Sequence, residues 1–260
     1  MTTLSAEPRN LPRLGGFTFG MIKLELRRMM RNRRTVIFTL IMPAAFFLLF
    51  GTNSASRHEA VGGGNVTGYI LVSMAVYGAM LATTSGGAMV SIERAAGWSR
   101  QLRLTPLKPV AYIAVKLVLA MIIGLVSVAV AFLVGSVSGA QLPAHAWIAC
   151  GVLAWVCALV FAAFGLFMGY LLPSENVMQI LGPVLAVLSF AGGLFAPLDT
   201  FGHTFATIAK FTPVYGVGEI ARYPLTQDGN LGLAVLNVVV WTTVFSVGAM
   251  WRFRRDTARV

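Results

Sequence analysis

One short segment, Ile92 to Pro109, places charged and aromatic residues between two long apolar runs. It opens with a carboxylate, Glu93, and carries four of the chain's twenty Lys and Arg residues around Trp98. Cations, leucines and an indole in one short helix are typical of a surface that binds a membrane interface or another protein. A basic loop with an interfacial tryptophan is the simpler alternative. In both interpretations the segment binds a surface and makes no covalent bonds.

The residues that would hydrolyse a nucleotide or hold a metal are missing from the sequence. A P-loop needs a lysine followed by Ser or Thr, and none of the four lysines is followed by either. The three histidines lie in separate segments, without an HExxH pattern or a cysteine pair at zinc spacing. A G-x-S-x-G nucleophile elbow is also absent. We therefore expect a non-catalytic chain with no metal and no cofactor of its own.

The composition indicates a helical membrane protein. Of the 260 residues, 57% are apolar and 11% are charged, and the mean hydropathy is +0.77. The apolar residues occur in long blocks with the charges at their edges, as in polytopic proteins. The net charge of +11 does not indicate a nucleic-acid partner, because no soluble domain remains to carry a basic face.

Six apolar runs approach or exceed the length of about 20 residues that a spanning helix needs. The first is marginal and contains Pro43. The predicted fold is an all-α polytopic membrane domain over residues 35–251, preceded by a cytoplasmic N-terminus, residues 1–34, and followed by a basic cytoplasmic tail, residues 252–260. The predicted spans cover residues 35–51, 67–92, 110–136, 144–172, 176–195 and 231–251.

The distribution of Lys and Arg predicts that both termini are cytoplasmic. With the N-terminus inside, sixteen cations fall on the inner side and three, Arg57, Lys210 and Arg222, on the outer side. That asymmetry follows the positive-inside rule. Lys116 lies two turns into the third span, and we expect its side chain to extend back to the cytoplasmic interface.

An amphipathic helix is predicted just before the first span. Five apolar residues between Phe19 and Met30 fall on one helical face, with a cationic stripe beside them. Such a helix is expected to lie flat on the inner membrane surface and to contact membrane lipids. It either anchors the first span or has a mechanical role. The stripe consists of Lys23, Arg27, Arg31 and Arg34.

The segment between the fifth and sixth runs mixes helix-start signals with apolar faces. Asp199 or Thr200 is predicted to cap a short helix, and Pro213 to end or restart it. Two short outer helices that dip into the bilayer fit this pattern. Backbone at that depth must be buried in protein or line a cavity.

The segment from Glu93 to Lys116 resembles the first inner loop of ABC-2 type exporter permeases. That loop has a Glu and a Gly, a leucine-containing helix, Thr-Pro, and a Lys that enters the next span. The resemblance implies a coupling helix that docks into a groove of an ATP-binding subunit, with a smaller contact at the inner turn PSEN. The residues that it assigns to ATPase coupling are Glu93, Arg94, Gly97, Trp98, Arg100, Leu102, Arg103, Thr105, Pro106 and Glu175.

Two distant features resemble the same family. The basic amphipathic segment is similar to its interface helix, and the G-L-F-x-P stretch after the fifth run is similar to its outer re-entrant helical hairpin. The residues implied for this hairpin are Gly193, Phe195, Pro197, Pro213, Tyr215 and Glu219.

The resemblance also implies partners and a function. The form of the loop from Gly97 to Leu107 is most similar to drug-resistance permeases of the daunorubicin and linearmycin types. It implies a subunit of a prokaryotic plasma-membrane exporter, paired with a second permease copy or paralogue and with two ATPase subunits that bind ATP and Mg. A small amphipathic cargo is expected. The candidate path residues are Phe46, Phe47, Tyr77 and Phe190.

Two other functions stay open at this point. The first is a permease that exports a lipid or a lipid-linked glycan. The second is a membrane sensor or scaffold that recruits a partner through the basic loop and moves no cargo.

Overall fold

A computed structural model of the chain describes residues 19–53, 57–97 and 109–258. Within them the structure is almost entirely helical, which confirms the predicted all-α polytopic class. The α-helices are α1 (Phe19–Arg31), α2 (Arg33–Val36), α3 (Met42–Phe47), α4 (Val66–Ala95), α5 (Pro109–Val137), α6 (Ala144–Cys157), α7 (Leu159–Leu171), α8 (Ser174–Ala191), α9 (His203–Ala209), α10 (Pro213–Thr226) and α11 (Leu231–Ala258). Two π-helical segments, Ile37–Ile41 and Leu48–Thr52, flank α3.

In the described part of the chain, five helical stretches are long and apolar enough to cross a membrane. Helices α6 and α7 form one of them, Ala144–Leu171, with Ala158 between them still in right-handed helical conformation. The first predicted span corresponds to a shorter apolar helix, Ile37–Thr52.

The first span depends on a neighbouring helix where Pro43 interrupts its hydrogen bonding. Proline has no N–H, so it cannot donate to the carbonyl of Thr39 as a regular α-helix requires. The hydroxyl of Ser127 on α5 donates to that carbonyl at 2.6 Å. Gly78 on α4 makes room for both groups, because a Cβ there would lie 2.5 Å from Ser127 Oγ and 3.0 Å from Pro43. Three helices are thus joined around one proline.

Helix α4 is the centre of the bundle, and small residues let its neighbours approach closely. A Cβ at Gly86 would lie 2.6 Å from Ala120 of α5, and one at Gly87 would lie 2.6 Å from the carbonyl oxygen of Ala162 on α7. A Cβ at Gly165 would overlap the backbone of Thr84. In lipid there is no hydrophobic driving force between helices. Small residues at such crossings allow the close packing that holds the helices together instead.

The bundle has two chemically different ends. We call the basic end the one that holds α1, the C-terminus of α4, the N-terminus of α5, the turn from α7 to α8 and the last turn of α11. We call the hairpin end the opposite one, which holds the chain from Leu198 to Thr226. A two-residue β-pair, Ala60–Val61 with Gly64–Asn65, also lies at the hairpin end. There Asn65 caps α4, with its Oδ1 accepting from Gly68 N at 2.9 Å.

The hairpin segment forms two short helices, α9 and α10, but α9 does not begin where the sequence predicts. Asp199 and Thr200 lie inside a 3-10 turn, Leu198–Phe201, and α9 starts at His203. The expected cap at Asp199 or Thr200 is therefore wrong. The physical reason is Gly202, whose φ of +83° breaks the helix and restarts it one residue later. Helix α10 begins as Pro213 predicts, with Thr212 accepting from Tyr215 N.

A single methyl group should distinguish packed from unpacked glycines in this bundle. Gly165→Ala should lower the free energy of unfolding by about 2 kcal/mol, because the Cβ overpacks against backbone that cannot move aside. Gly182→Ala in α8 is the matched control, because nothing lies within 4 Å of a Cβ there. It should be stabilising by up to about 1 kcal/mol, since alanine is the better helix former. Reversible unfolding in mixed detergent micelles measures both, and equal effects of the two variants would contradict the packing described.

Candidate coupling site

A buried ionic cluster lies at the basic end, beside the last turn of α4. Tyr112 and Lys116 are one helical turn apart on α5, so both reach the same neighbour. The ammonium of Lys116 donates to Glu93 Oε1 at 2.5 Å, and the hydroxyl of Tyr112 donates to Glu93 Oε2. Glu93 and Lys116 are only 5% and 4% exposed. The predicted coupling residue Glu93, on α4, is thus buried inside the bundle and bound to two residues of α5.

Helix α1 joins the same cluster through Glu25. Its Oε2 lies 3.4 Å from Lys116 Nζ, and its other oxygen lies 4.0 Å from Arg28. The prediction that Lys116 extends back to the interface is wrong. Its ammonium is buried between two carboxylates within 4 Å, and these stabilise its charge in place of water. Removing one member of the cluster would leave a buried charge without its partner, which would destabilise the folded state. The cluster therefore holds α1, α4 and α5 in one arrangement.

Arg94, the next residue along α4, binds a different helix, α7. Its guanidinium donates to the carbonyl oxygens of Gly169 and Tyr170 at 3.2 and 3.3 Å, at the end of α7. It also lies over the Tyr170 ring, 5.4 Å from the centroid. That ring in turn contacts Phe253 of α11, with centroids 5.7 Å apart. Two consecutive side chains of α4 thus connect its last turn to most of the basic end.

Helix α4 ends immediately after this pair. Gly97 has a φ of +75°, which is the left-handed conformation typical of a helix C-terminus. Its N–H donates to the carbonyl of Arg94 at 3.0 Å. Ile92 to Ala95, predicted from the sequence to lie in the coupling helix, belong to α4. The rest of the predicted coupling set lies outside the described residues: Trp98, Arg100, Leu102, Arg103, Thr105 and Pro106.

Four of the remaining predicted residues of the basic end are exposed. Glu175 lies in the first turn of α8, and Lys23, Arg27 and Arg31 lie on the open face of α1. Arg34 belongs to α2, and its side chain lies outside the described part of the structure.

In the described chain, no three His, Cys, Asp or Glu side chains converge as metal ligands.

At the hairpin end, a buried arginine connects residues that the sequence singled out separately. The guanidinium of Arg222, only 3% exposed, donates to the carbonyl oxygen of Gly193 at 2.9 Å and to Glu219 at 3.0 Å. It also donates to the hydroxyl of Ser73 at 3.3 Å and lies over the ring of Tyr69, both on α4. The hairpin is thereby attached to α4 and to the chain that follows α8.

The other predicted hairpin residues differ in burial. Pro213 and Tyr215 are buried in the first turn of α10, and Pro197 is exposed before the 3-10 turn. Burial, reinforced by the Glu219 carboxylate, raises the pKa of the Tyr215 hydroxyl above its usual value, while Arg222 acts in the opposite direction. Tyr215 therefore stays neutral across physiological pH.

Three of the predicted aromatic residues form a cluster between the first span, α4 and the hairpin. Tyr77 lies edge-on to Phe195 with centroids 5.1 Å apart, and Phe46 lies 6.1 Å from Tyr77 and 6.0 Å from Phe195. Phe50 joins them at 6.2 Å from Phe195. The two other predicted path residues differ in burial. Phe47 is fully buried in the core, and Phe190 is half exposed against Phe201.

Sequence reasoning did not identify Glu25, Tyr112 or Arg222 as site residues. The available signal was an ionisable group inside or beside an apolar run, which is costly unless it has a partner. Lys116 gave that signal, and Tyr112 precedes it by one turn. The partners on α1 and α4 lie far away in sequence, so spacing alone could not find them.

Comparisons with known sequences identify the family. The family model described as ABC-2 type transporter matches residues 18–225. The chain belongs to the ABC-2 type transporter family. This ABC-2 protein is 30% identical over 215 residues to the "Putative transport permease YvfS" of Bacillus subtilis (strain 168). The match covers 79% of the chain and 84% of that relative.

The buried cluster should make Lys116 a stability hot spot. Lys116→Met should lower the free energy of unfolding by about 3–5 kcal/mol, because Glu93 and Glu25 lose their shared cation in a buried site. Adding Glu93→Met should recover part of the loss, so the double variant is more stable than the sum of the single effects. Lys210→Met, at an exposed lysine, should change stability by less than about 0.5 kcal/mol. Strict additivity in this cycle would mean that the pair contributes no coupling.

Proposed function

We propose that this chain is the permease subunit of an ATP-driven exporter that moves an amphipathic compound, such as a drug or antibiotic, out of a prokaryotic cell. The observation that carries the proposal is the pair Glu93 and Arg94. These consecutive residues bind α5 and α7 immediately before Gly97, where the loop assigned to ATPase coupling begins. A displacement of that loop therefore reaches the bundle through the end of α4.

The energy source is a separate polypeptide. No lysine in the chain is followed by Ser or Thr, so it has no P-loop of its own. Two ATP-binding subunits would bind ATP and Mg and contact the loop after Gly97, with a smaller contact at Glu175. A second copy of this permease, or a paralogue, would complete the path. The basic end is cytoplasmic, because it carries most of the cations of the chain.

Coupling follows from how the last turn of α4 is held. When the ATP-binding subunits close, they displace the loop and, with it, Glu93 and Arg94. Glu93 carries the movement to α5 and, through Lys116, to α1. Arg94 carries it to the end of α7. The helices therefore tilt together, and an inward-open cavity becomes outward-directed.

The cargo would meet an apolar aromatic surface at the hairpin side. Phe46, Phe50, Tyr77 and Phe195 present faces and edges from the first span, α4 and the hairpin. Such a surface suits flat, amphipathic molecules, because aromatic contacts tolerate many shapes. The buried attachments of Arg222 hold the hairpin over this cluster.

The tagged chain, extracted from its native membrane in mild detergent, tests the proposed assembly. We expect intact-complex mass spectrometry to show two permease chains with two ATP-binding subunits. Recovery of the chain without an ATPase in several detergents would overturn the proposal and favour a sensor or scaffold. Reconstituted complexes should then hydrolyse ATP faster in the presence of a transported amphipathic dye.

Gly97 provides a specific test of coupling. Gly97→Val forces a β-branched residue into a left-handed conformation and so redirects the loop, although no atom lies within 4 Å of the new Cβ. Transport by the reconstituted complex should fall at least about tenfold, which corresponds to about 1.4 kcal/mol of lost coupling, while ATP hydrolysis persists.

The matched control is Gly139→Val at the opposite end of α5. Gly139 has a φ of +86° and the same empty surroundings, so the local strain is equivalent. It should transport at close to the wild-type rate. If both variants lost transport equally, strain rather than coupling would be the cause, and the role assigned to Gly97 would be lost.

A further inference from the structure

Helix α1 has one buried face and one strongly cationic face. Ile22 and Met29 pack in a cluster with Val115, Leu119 and Ile123 of α5. On the open side, four cations are exposed, and Glu25 is the one acid in the helix. Glu25 turns inward to Lys116 and lies 4.0 Å from Arg28, so in the described part of the structure it leaves the charges of Lys23, Arg27 and Arg31 in place. The exposed cations are Lys23, Arg27, Arg28 and Arg31.

The geometry of these cations suits a flat anionic layer. Lys23, Arg27 and Arg31 recur every fourth residue, so they form one stripe about 12 Å long along the helix. Leu24, beside the stripe, is 71% exposed. An exposed leucine next to a row of cations is typical of a helix at the boundary between acyl chains and headgroups. An acidic protein surface would pair with the cations but would leave the leucine without an apolar neighbour.

The depth of α1 agrees with this placement. Its partner residues on α5, Val115 to Ile123, lie in the basic-end half of a helix that spans the membrane. A helix packed there lies beside the headgroup layer of the same leaflet. The ligand that fits is therefore the surface of a bilayer containing anionic phospholipid.

We propose that α1 senses anionic phospholipid and transmits its binding to the coupling site through Glu25, Lys116 and Glu93. Headgroups that attract the stripe fix the position of α1 against α5. Glu25 moves with α1, and its partner Lys116 is the cation that holds Glu93. How tightly the end of α4, residues Ile92 to Gly97, is held thereby depends on the charge of the inner leaflet. This deepens the function proposed above, but its test needs only the permease.

The experiment uses the purified chain in nanodiscs of phosphatidylcholine alone or with increasing phosphatidylglycerol. Backbone hydrogen exchange is followed in two segments, α1 and Ile92 to Gly97. We expect anionic lipid to slow exchange in both segments. Lys23→Gln with Arg27→Gln and Arg31→Gln should abolish the effect, since each cation near an anionic surface contributes about fivefold in binding and the three together on the order of a hundredfold.

Two control variants separate charge position from charge alone. Lys23→Arg with Arg27→Lys and Arg31→Lys keeps the stripe cationic and should respond as the wild type does. Arg57→Gln with Lys210→Gln removes exposed cations from the hairpin end and should also respond normally. Loss of the response in the hairpin-end variant would mean that net charge, and not the stripe, is responsible.

Glu25→Gln isolates the transmission step. It removes the link between α1 and Lys116 but leaves the stripe and the pair of Lys116 with Glu93. Anionic lipid should still protect α1, while Ile92 to Gly97 should no longer respond. If that segment responded as in the wild type, the path through Glu25 would be wrong.

Three outcomes would overturn the lipid part of the proposal. The first is equal protection of α1 by neutral and anionic lipid. The second is protection by inorganic phosphate in neutral nanodiscs, because the ligand would then be a free anion. The third is protection of α1 only when an ATP-binding subunit is added, because the stripe would then bind protein. A permease that moved no cargo would still give the expected result, so this test is separate from that of the transport function.

Discussion

Helix α4 can hold the bundle together only because its neighbours approach its backbone. Gly86 meets Ala120 of α5, and Gly87 and Gly165 bring α4 and α7 into backbone contact. In a membrane, such close approach and the hydrogen bonds it permits replace the hydrophobic effect that assembles soluble bundles. The first span, α5, α7 and α8 are placed by their packing on α4, and α10 also contacts it. The last span, α11, packs instead on α7 and α10.

The close packing also makes α4 a rigid connection between two buried ionic groups. Near one end, Tyr69 and Ser73 contact Arg222 of the hairpin, and at the other end Glu93 and Arg94 bind α5 and α7. A helix of 30 residues is about 45 Å long. In the mechanism proposed here, an event at the basic end would reach the aromatic cluster around Tyr77 by displacing α4 as a whole. Buried charges at both ends restrict how the helix can move, because each arrangement must keep them paired.

The sequence predicted the features that depend on composition and missed those that depend on neighbours. Apolar runs and flanking cations indicated the spans and the class of fold, because the bilayer imposes both. The amphipathic helix α1 and the start of α10 at Pro213 could also be predicted, since they depend on local periodicity and capping. The environment of Lys116 was not, because Glu25 and Glu93 lie on other helices. Gly202 likewise decided where α9 begins, although the stronger capping residues came just before it.

The arrangement around Pro43 has an evolutionary consequence. Pro43 lacks the N–H that Thr39 needs, Ser127 supplies the replacement donor, and Gly78 leaves space for both. A homologue with an ordinary residue in place of Pro43 would no longer require a hydroxyl at the second position or a glycine at the third. These three positions, on three different helices, should therefore change together during divergence, so that a proline without its serine is rare. The proline of the first span is thus inherited together with its two partners.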